Sequence, residues 1–175
     1  MAEFSYIIKQ NFKSSLDSLK NTSYDKENQT YMCQSDMQVV DFDKLTLELN
    51  PLKQPSSYDS LIIEEPKKKV FCVEFKNQNK SDVKNSNLHK KVIDSNDTFK
   101  KICTDNNVKK DNYNFTLCVV YKSNPATYKY RRFKENILHF GLDIYKEKYF
   151  KEIITNDIEF FKKEFHEKYG CNNEK

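Results

Sequence analysis

Tyr58-Asp59-Ser60-Leu61-Ile62-Ile63 and Val70-Phe71-Cys72-Val73-Glu74-Phe75-Lys76 are the stretches on which the reading of this chain turns. Both are short, apolar and rich in β-branched or aromatic residues. Between them stands Glu64-Glu65-Pro66-Lys67-Lys68-Lys69, whose proline cannot donate to a central ladder and whose charges want water. The pattern predicts a β-hairpin. Side chains alternate along a strand, so Cys72, Glu74 and Lys76 are expected on one face and Phe71, Val73 and Phe75 on the other.

Glu74 and Lys76 lie inside an apolar run, where charge is costly unless it is paired or has a task. With Asp59 opposite on the neighbouring strand, the carboxylates of Asp59 and Glu74 suit one divalent cation. Lys76 then stands close enough to orient a water or to stabilise developing phosphate charge, an arrangement for metal-assisted hydrolysis. The plainer alternative is a hairpin with a charged outer face, on which Glu74 and Lys76 form an ion pair worth under ~1 kcal/mol.

The rest of the chain limits the field. Its 175 residues fit one domain, and with 13 Phe and 11 Tyr in a chain only 37% hydrophobic, burial is expected to rest on aromatics. The net charge of +4 is compatible with a polyanionic partner without demanding one. Only Gly141 and Gly170 are present, which excludes glycine-rich mononucleotide and dinucleotide fingerprints. His89, His139 and His166 have no metal-ligand spacing. Cys33, Cys72, Cys103, Cys118 and Cys171 are odd in number and lack a C-x-x-C pair, which fits reduced, buried thiols and a cytoplasmic protein. The N-terminal stretch lacks the basic and apolar regions of a signal peptide, and no segment reaches the ~20 apolar residues of a membrane span.

Along the chain, Phe4, Ile8, Phe12, Leu16 and Leu19 predict an amphipathic helix over residues 3 to 20, followed by a polar loop from Asn21 to Ser35. Met37 to Phe42 reads as a strand, and Leu45 to Leu49 alternates apolar and polar residues. Leu88, Val92, Phe99, Ile102 and Cys103 predict a helix over about residues 86 to 104, with Lys91 and Ser95 beside its apolar stripe and aimed at the acidic pair. Phe115 to Tyr121 is the near-continuous apolar run of a central strand. Ile137 and Leu138 are expected in a helix that stops or bends at Gly141. Asn156 is expected to cap a last helix over about residues 157 to 169, ended by Gly170.

With those residues in view, the chain resembles the PD-(D/E)XK nuclease superfamily. The motif positions are Asp59, Glu74 and Lys76, and the match covers about residues 56 to 121. Ser56-Ser57-Tyr58-Asp59-Ser60-Leu61-Ile62, Val73-Glu74-Phe75-Lys76-Asn77 and Lys90-Lys91-x-x-Asp94-Ser95 look like an uncharacterised microbial group within it. The resemblance implies an α/β fold with a restriction-endonuclease-like core, a mixed central sheet flanked by helices. It implies Mg²⁺, or Mn²⁺, on Asp59, Glu74 and the carbonyl of Phe75, with Lys76 on the water and Lys91 in support from the helix. The residue before Asp59 is Tyr rather than Pro, and the acid that many members carry on the first helix has no clear counterpart, Asp17 being the better of Glu3 and Asp17.

The function expected is hydrolysis of phosphodiester bonds in DNA, with RNA less favoured. Tyr130, Arg131 and Arg132 interleave basic and aromatic residues as a nucleic-acid contact would, although a polar Tyr-rich loop reads the same way. The competing expectations are a catalytically inactive binding module of the same fold, acting as the partner of a toxin or mobile element, and a protein-interaction or immunity-type domain. Assembly as a homodimer or with a cognate protein belongs with either.

Overall fold

In a computed structural model that describes residues 3–123 and 137–169, the predicted hairpin lies within a mixed sheet flanked by helices. Strands β1 (Leu16–Ser18), β4 (Gln38–Asp41), β5 (Ser60–Glu64), β6 (Lys69–Lys76), β7 (Asn114–Tyr121) and β8 (Glu152–Asp157) run in that spatial order. Strands β2 (Tyr24–Asp25) and β3 (Thr30–Tyr31) form a separate small hairpin. Pairing is antiparallel from β1 through β6 and parallel from β6 through β8. Helices α1 (Phe4–Asn11), α2 (Leu19–Thr22), α3 (Phe42–Leu49), α4 (Asn85–Asp105) and α5 (Ile158–Tyr169) complete the described elements. No helix among the described residues is long and apolar enough to cross a membrane.

The β5–β6 hairpin turns through a short 3₁₀ segment at Glu65–Lys67, and Lys68 closes it with a left-handed φ of 49°. A parallel partner cannot be reached by a tight turn, so the chain crosses from β6 to β7 through α4. The alternation expected for β6 holds. Val70 and Cys72 pack with α1, α3 and α4, whereas Phe71, Val73 and Phe75 pack with Leu19, Ile158 and Phe161 on the other face. Between two covered faces, β7 is buried from Phe115 to Tyr121, as its apolar run predicts. Cys33, Cys72, Cys103 and Cys118 are buried and form no disulfide.

Several expectations are corrected. The N-terminal helix stops at Asn11 instead of running to residue 20. Ser14, Ser15 and Ser18 are poor helix formers; Ser15 bonds back to the Phe12 carbonyl at 2.7 Å and Ser18 caps α2, so Leu16 and Asp17 form an edge strand on β4. Within the expected loop from Asn21 to Ser35 lies the β2–β3 hairpin. Leu45 to Leu49 is helix rather than alternating strand: Asp41 accepts the Lys44 N–H as N-cap, and Phe42 and Leu45 face the core one turn apart. Ile137 and Leu138 are not helical, and Gly141, at φ 64°, precedes a 3₁₀ turn at Leu142–Tyr145 instead of ending a helix.

At the C-terminal end the sequence reading missed β8, whose Ile153-Ile154-Thr155 core pairs in parallel with β7. Asp157 rather than Asn156 caps the last helix, accepting the Phe160 N–H at 3.1 Å. The one-residue shift follows from β8 running through Asp157, so the helix begins at Ile158.

Candidate active site

Strand register assembles the site. Ser60 pairs with Val73, and extending that register by one residue sets Asp59 opposite Glu74. Asp59 stands immediately before β5, not within it, and its Oδ2 accepts the Phe75 N–H at 2.5 Å. Glu74 and Lys76 project to the face that α4 covers, as the alternation requires. From that helix Lys91 reaches over both acids, its Nζ 2.7 Å from Glu74 Oε2 and 3.6 Å from Asp59 Oδ1. Lys76 Nζ lies 2.7 Å from Glu74 Oε1, which accepts no well-directed hydrogen bond.

Burial is graded across the cluster. Glu74 is fully enclosed at 0% exposure, whereas Asp59, Lys91 and Lys76 keep 19%, 20% and 22% of their side chains open. Glu74 therefore lies beneath three partly exposed side chains. An ion pair on an exposed hairpin face, the plainer alternative for Glu74 and Lys76, does not describe a carboxylate that solvent never reaches.

Burial and neighbouring charge together shift Asp59 and Lys91. Burial, and then the neighbouring Glu74, push the Asp59 carboxyl up to about 8 against the opposing pull of Lys91 and the Phe75 N–H. Burial alone would lower Lys91; Glu74 and Asp59 outweigh it and raise the ammonium above its ordinary value.

One carboxylate at the site was not read from sequence. Asp43, in the first turn of α3, accepts a short hydrogen bond from the Ser57 hydroxyl and lies within electrostatic reach of Lys91, Glu74 and Asp59. Although the residue as a whole is exposed, desolvation raises its carboxyl, with Glu74 adding and Ser57 and Lys91 opposing. The signal was the helical spacing of Phe42, Leu45 and Leu49 behind the Asp41 cap, masked by the apparent alternation of Leu45 to Leu49. Asp94 holds the same loop from α4, accepting the Ser56 N–H at 3.0 Å. Both acids thus fix the backbone leading into Asp59.

Other expected site residues fall elsewhere. Asp17 lies on β1, not on a helix, and its carboxylate is engaged by Lys44 at 2.5 Å, Asn21 at 2.7 Å and the Ser18 N–H at 2.8 Å. The Phe75 ring packs edge-on against Phe161 on the opposite face, so only its backbone belongs to the site. Tyr130, Arg131 and Arg132 lie outside the described residues.

Comparison with protein-family models, with curated proteins and with solved structures finds no match. The chemistry of the cluster is therefore argued from its own atoms. Among the described residues no three His, Cys, Asp or Glu side chains are grouped so as to hold a metal ion. The set at hand is two carboxylates and a backbone carbonyl, with Asp43 farther out. All are hard oxygen donors, the kind that Mg²⁺ and Mn²⁺ take. Burial first and Glu74 second hold the Asp59 carboxyl up against the pull of Lys91, and a divalent cation on the two carboxylates would favour their ionised forms. On that observation the residues fit the group.

Proposed function

We propose that this chain is a metal-dependent nuclease with a restriction-endonuclease-like core, acting on the phosphodiester bonds of DNA in preference to RNA. The observation that carries the reading is Glu74: a carboxylate with no solvent exposure, held between Lys76 and Lys91 beside an electrostatically strained Asp59. Enclosing such a group in a lysine frame costs desolvation that a well-packed apolar residue would avoid. Clustered titratable groups, one of them strongly perturbed, at a partly exposed strand end support a functional site.

Asp59, Glu74 and the Phe75 carbonyl would hold Mg²⁺ or Mn²⁺, with Asp43 the nearest further acid. When bound, the cation supplies Lewis-acid polarisation of a phosphoryl oxygen and a more acidic water. Lys76 would orient the attacking water and stabilise the negative charge developing on the phosphate, and Lys91 would balance Glu74 and Asp59 while meeting a non-bridging phosphate oxygen. Buried Glu74 keeps both lysines aimed. Asp59, Lys76 and Lys91 keep part of their side chains exposed, so a scissile phosphate approaches from the lysine side.

The experiment is degradation of single- and double-stranded DNA and RNA by the purified protein with Mg²⁺ or Mn²⁺, beside a Glu74→Ala variant prepared identically. Cleavage by the wild type that disappears in the variant supports the reading and names the substrate; equal cleavage, or none, overturns it. The alternative, a binding module of the same fold, is favoured by one observation: both Glu74 oxygens already face lysines. Nucleic-acid binding without cleavage would select it.

A further inference from the structure

Across the end of β6 from the carboxylate cluster, the β2–β3 hairpin carries a feature that the hydrolytic reading does not use. Tyr24 and Tyr31 pair across its two strands with ring centroids 4.7 Å apart, and both rings stay 38% and 39% exposed. Lys20 places its Nζ 5.1 Å from the centre of the Tyr31 ring. A two-stranded ribbon this short has little stability of its own. Here it is held by polar contacts: Asp25 Oδ1 accepts the N–H groups of Glu27 at 2.9 Å and Asn28 at 3.2 Å, and Oδ2 accepts the Asn28 amide at 2.6 Å.

The same Asp25 Oδ2 accepts the amide of Asn77 at 2.9 Å, and Asn77 directly follows Lys76. Next to it, the Lys122 N–H donates to the carbonyls of Lys76 at 3.1 Å and Gln78 at 3.0 Å, with the Lys122 side chain exposed. The hairpin segment packs on the face of Phe71, Val73 and Phe75, so the paired rings with Lys20 stand across the end of β6 from Lys76 and Lys91, joined to that end through Asn77. Ammonium groups suit phosphates, and exposed rings suit the π-faces that every unpaired base presents and a duplex hides.

We propose that Tyr24 and Tyr31 form a stacking platform for unpaired nucleotides, which guides a single strand or a frayed end of nucleic acid to the Lys76 and Lys91 side of the site. The inference rests on the nuclease reading and adds its substrate class. It assigns a binding role to Tyr24, Tyr31 and Lys20, and none in the chemistry.

The test is fluorescence anisotropy in EDTA with the wild-type protein and labelled strands of about 20 nucleotides: thymidine, uridine, an abasic strand of equal charge, and a duplex. The expected result is binding to the thymidine or uridine strand about tenfold or more tighter than to the abasic strand and the duplex. That margin should vanish in a Tyr24→Ala, Tyr31→Ala variant and survive in Tyr24→Phe, Tyr31→Phe. Equal affinity for the abasic strand, preference for the duplex, or an alanine variant that binds as the wild type overturns it. Should the alanine variant not fold, the abasic comparison with the wild type decides. Cleavage that depends on Glu74 without base-dependent binding refutes the platform alone. Base-dependent binding that needs the two rings, without such cleavage, supports the platform and refutes the hydrolytic reading alone.

Discussion

The β5–β6 hairpin carries an acid–lysine cluster at each end, and the two are opposite in character. At the turn, Glu65 is surrounded by donors: the Ser5 N–H at 3.0 Å, Lys68 Nζ at 2.5 Å and the Tyr113 hydroxyl, which itself accepts the Phe4 N–H at 2.9 Å. Burial opposes ionisation there, but Lys68, Tyr113 and Ser5 outweigh it and hold the carboxyl down at about 2. At the far end, Asp59 faces Glu74, and its carboxyl is driven up to about 8. The same residue types serve in one place to fasten the start of α1 to the hairpin and in the other to hold charge against charge. The first lowers the energy of the fold, and the second raises it.

Exchanging carboxylates for amides should break the comparison most sharply. Glu74→Gln is expected to reduce metal-dependent cleavage at least ~100-fold, measured as kcat/KM, because the charge that frames both lysines and the cation is gone. Glu65→Gln should leave that rate within about twofold, since it lies at the other end of the hairpin. In urea denaturation at neutral pH, Glu65→Gln should cost about 1.5 to 3 kcal/mol, the range for hydrogen bonds to a charged acceptor.

The pH dependence sharpens the contrast through its sign. The folded Glu65 carboxyl, near 2 against an ordinary 4.5, binds fewer protons than the unfolded one between those values. Its stabilisation is thus complete above about 4.5 and is lost as pH falls toward 2. Asp59 runs the other way: raised from 3.8 to about 8, it binds more protons when folded, so it lowers stability as pH rises through that window. In EDTA, Asp59→Asn should flatten the fall in melting temperature between about pH 4 and pH 8, and Mg²⁺ should restore stability to the wild type at the alkaline end but not to the variant. A variant whose melting curve keeps the wild-type slope would remove the electrostatic strain from the account.

The smallest effect is expected at Lys67, whose Nζ lies 3.3 Å from Glu64 with the side chain 61% exposed. Lys67→Gln should move stability by less than ~0.5 kcal/mol and leave cleavage unchanged. A larger loss would show that proximity of an acid and a lysine on this hairpin is enough, without enclosure.

The parts of the fold that could be read in advance were those whose signal is local. The apolar runs of β5, β6 and β7 and the stripe of α4 each lie within one segment, so their periodicity places them, and Lys91 with them. Elements that depend on a distant partner were lost. Leu16-Asp17-Ser18 is a strand only because β4 lies beside it, and Glu152–Asp157 only because β7 offers an edge. Asp43 was lost for a related reason: its helix was short, and the alternation of Leu45 to Leu49 imitated a strand.

The sequence by itself determined the hairpin, the face that Glu74 and Lys76 share, and the candidate triad of Asp59, Glu74 and Lys76, because strand alternation and a proline-bearing turn act over a few residues. Only the tertiary structure decided that Glu74 is sealed while its lysines are not, that Asp43 rather than Asp17 is the nearby acid, and that Tyr24 and Tyr31 stand at the end of β6. Burial, charge coupling and the meeting of distant loops are properties of the packed chain, set by which elements close over one another, and no local spacing encodes them.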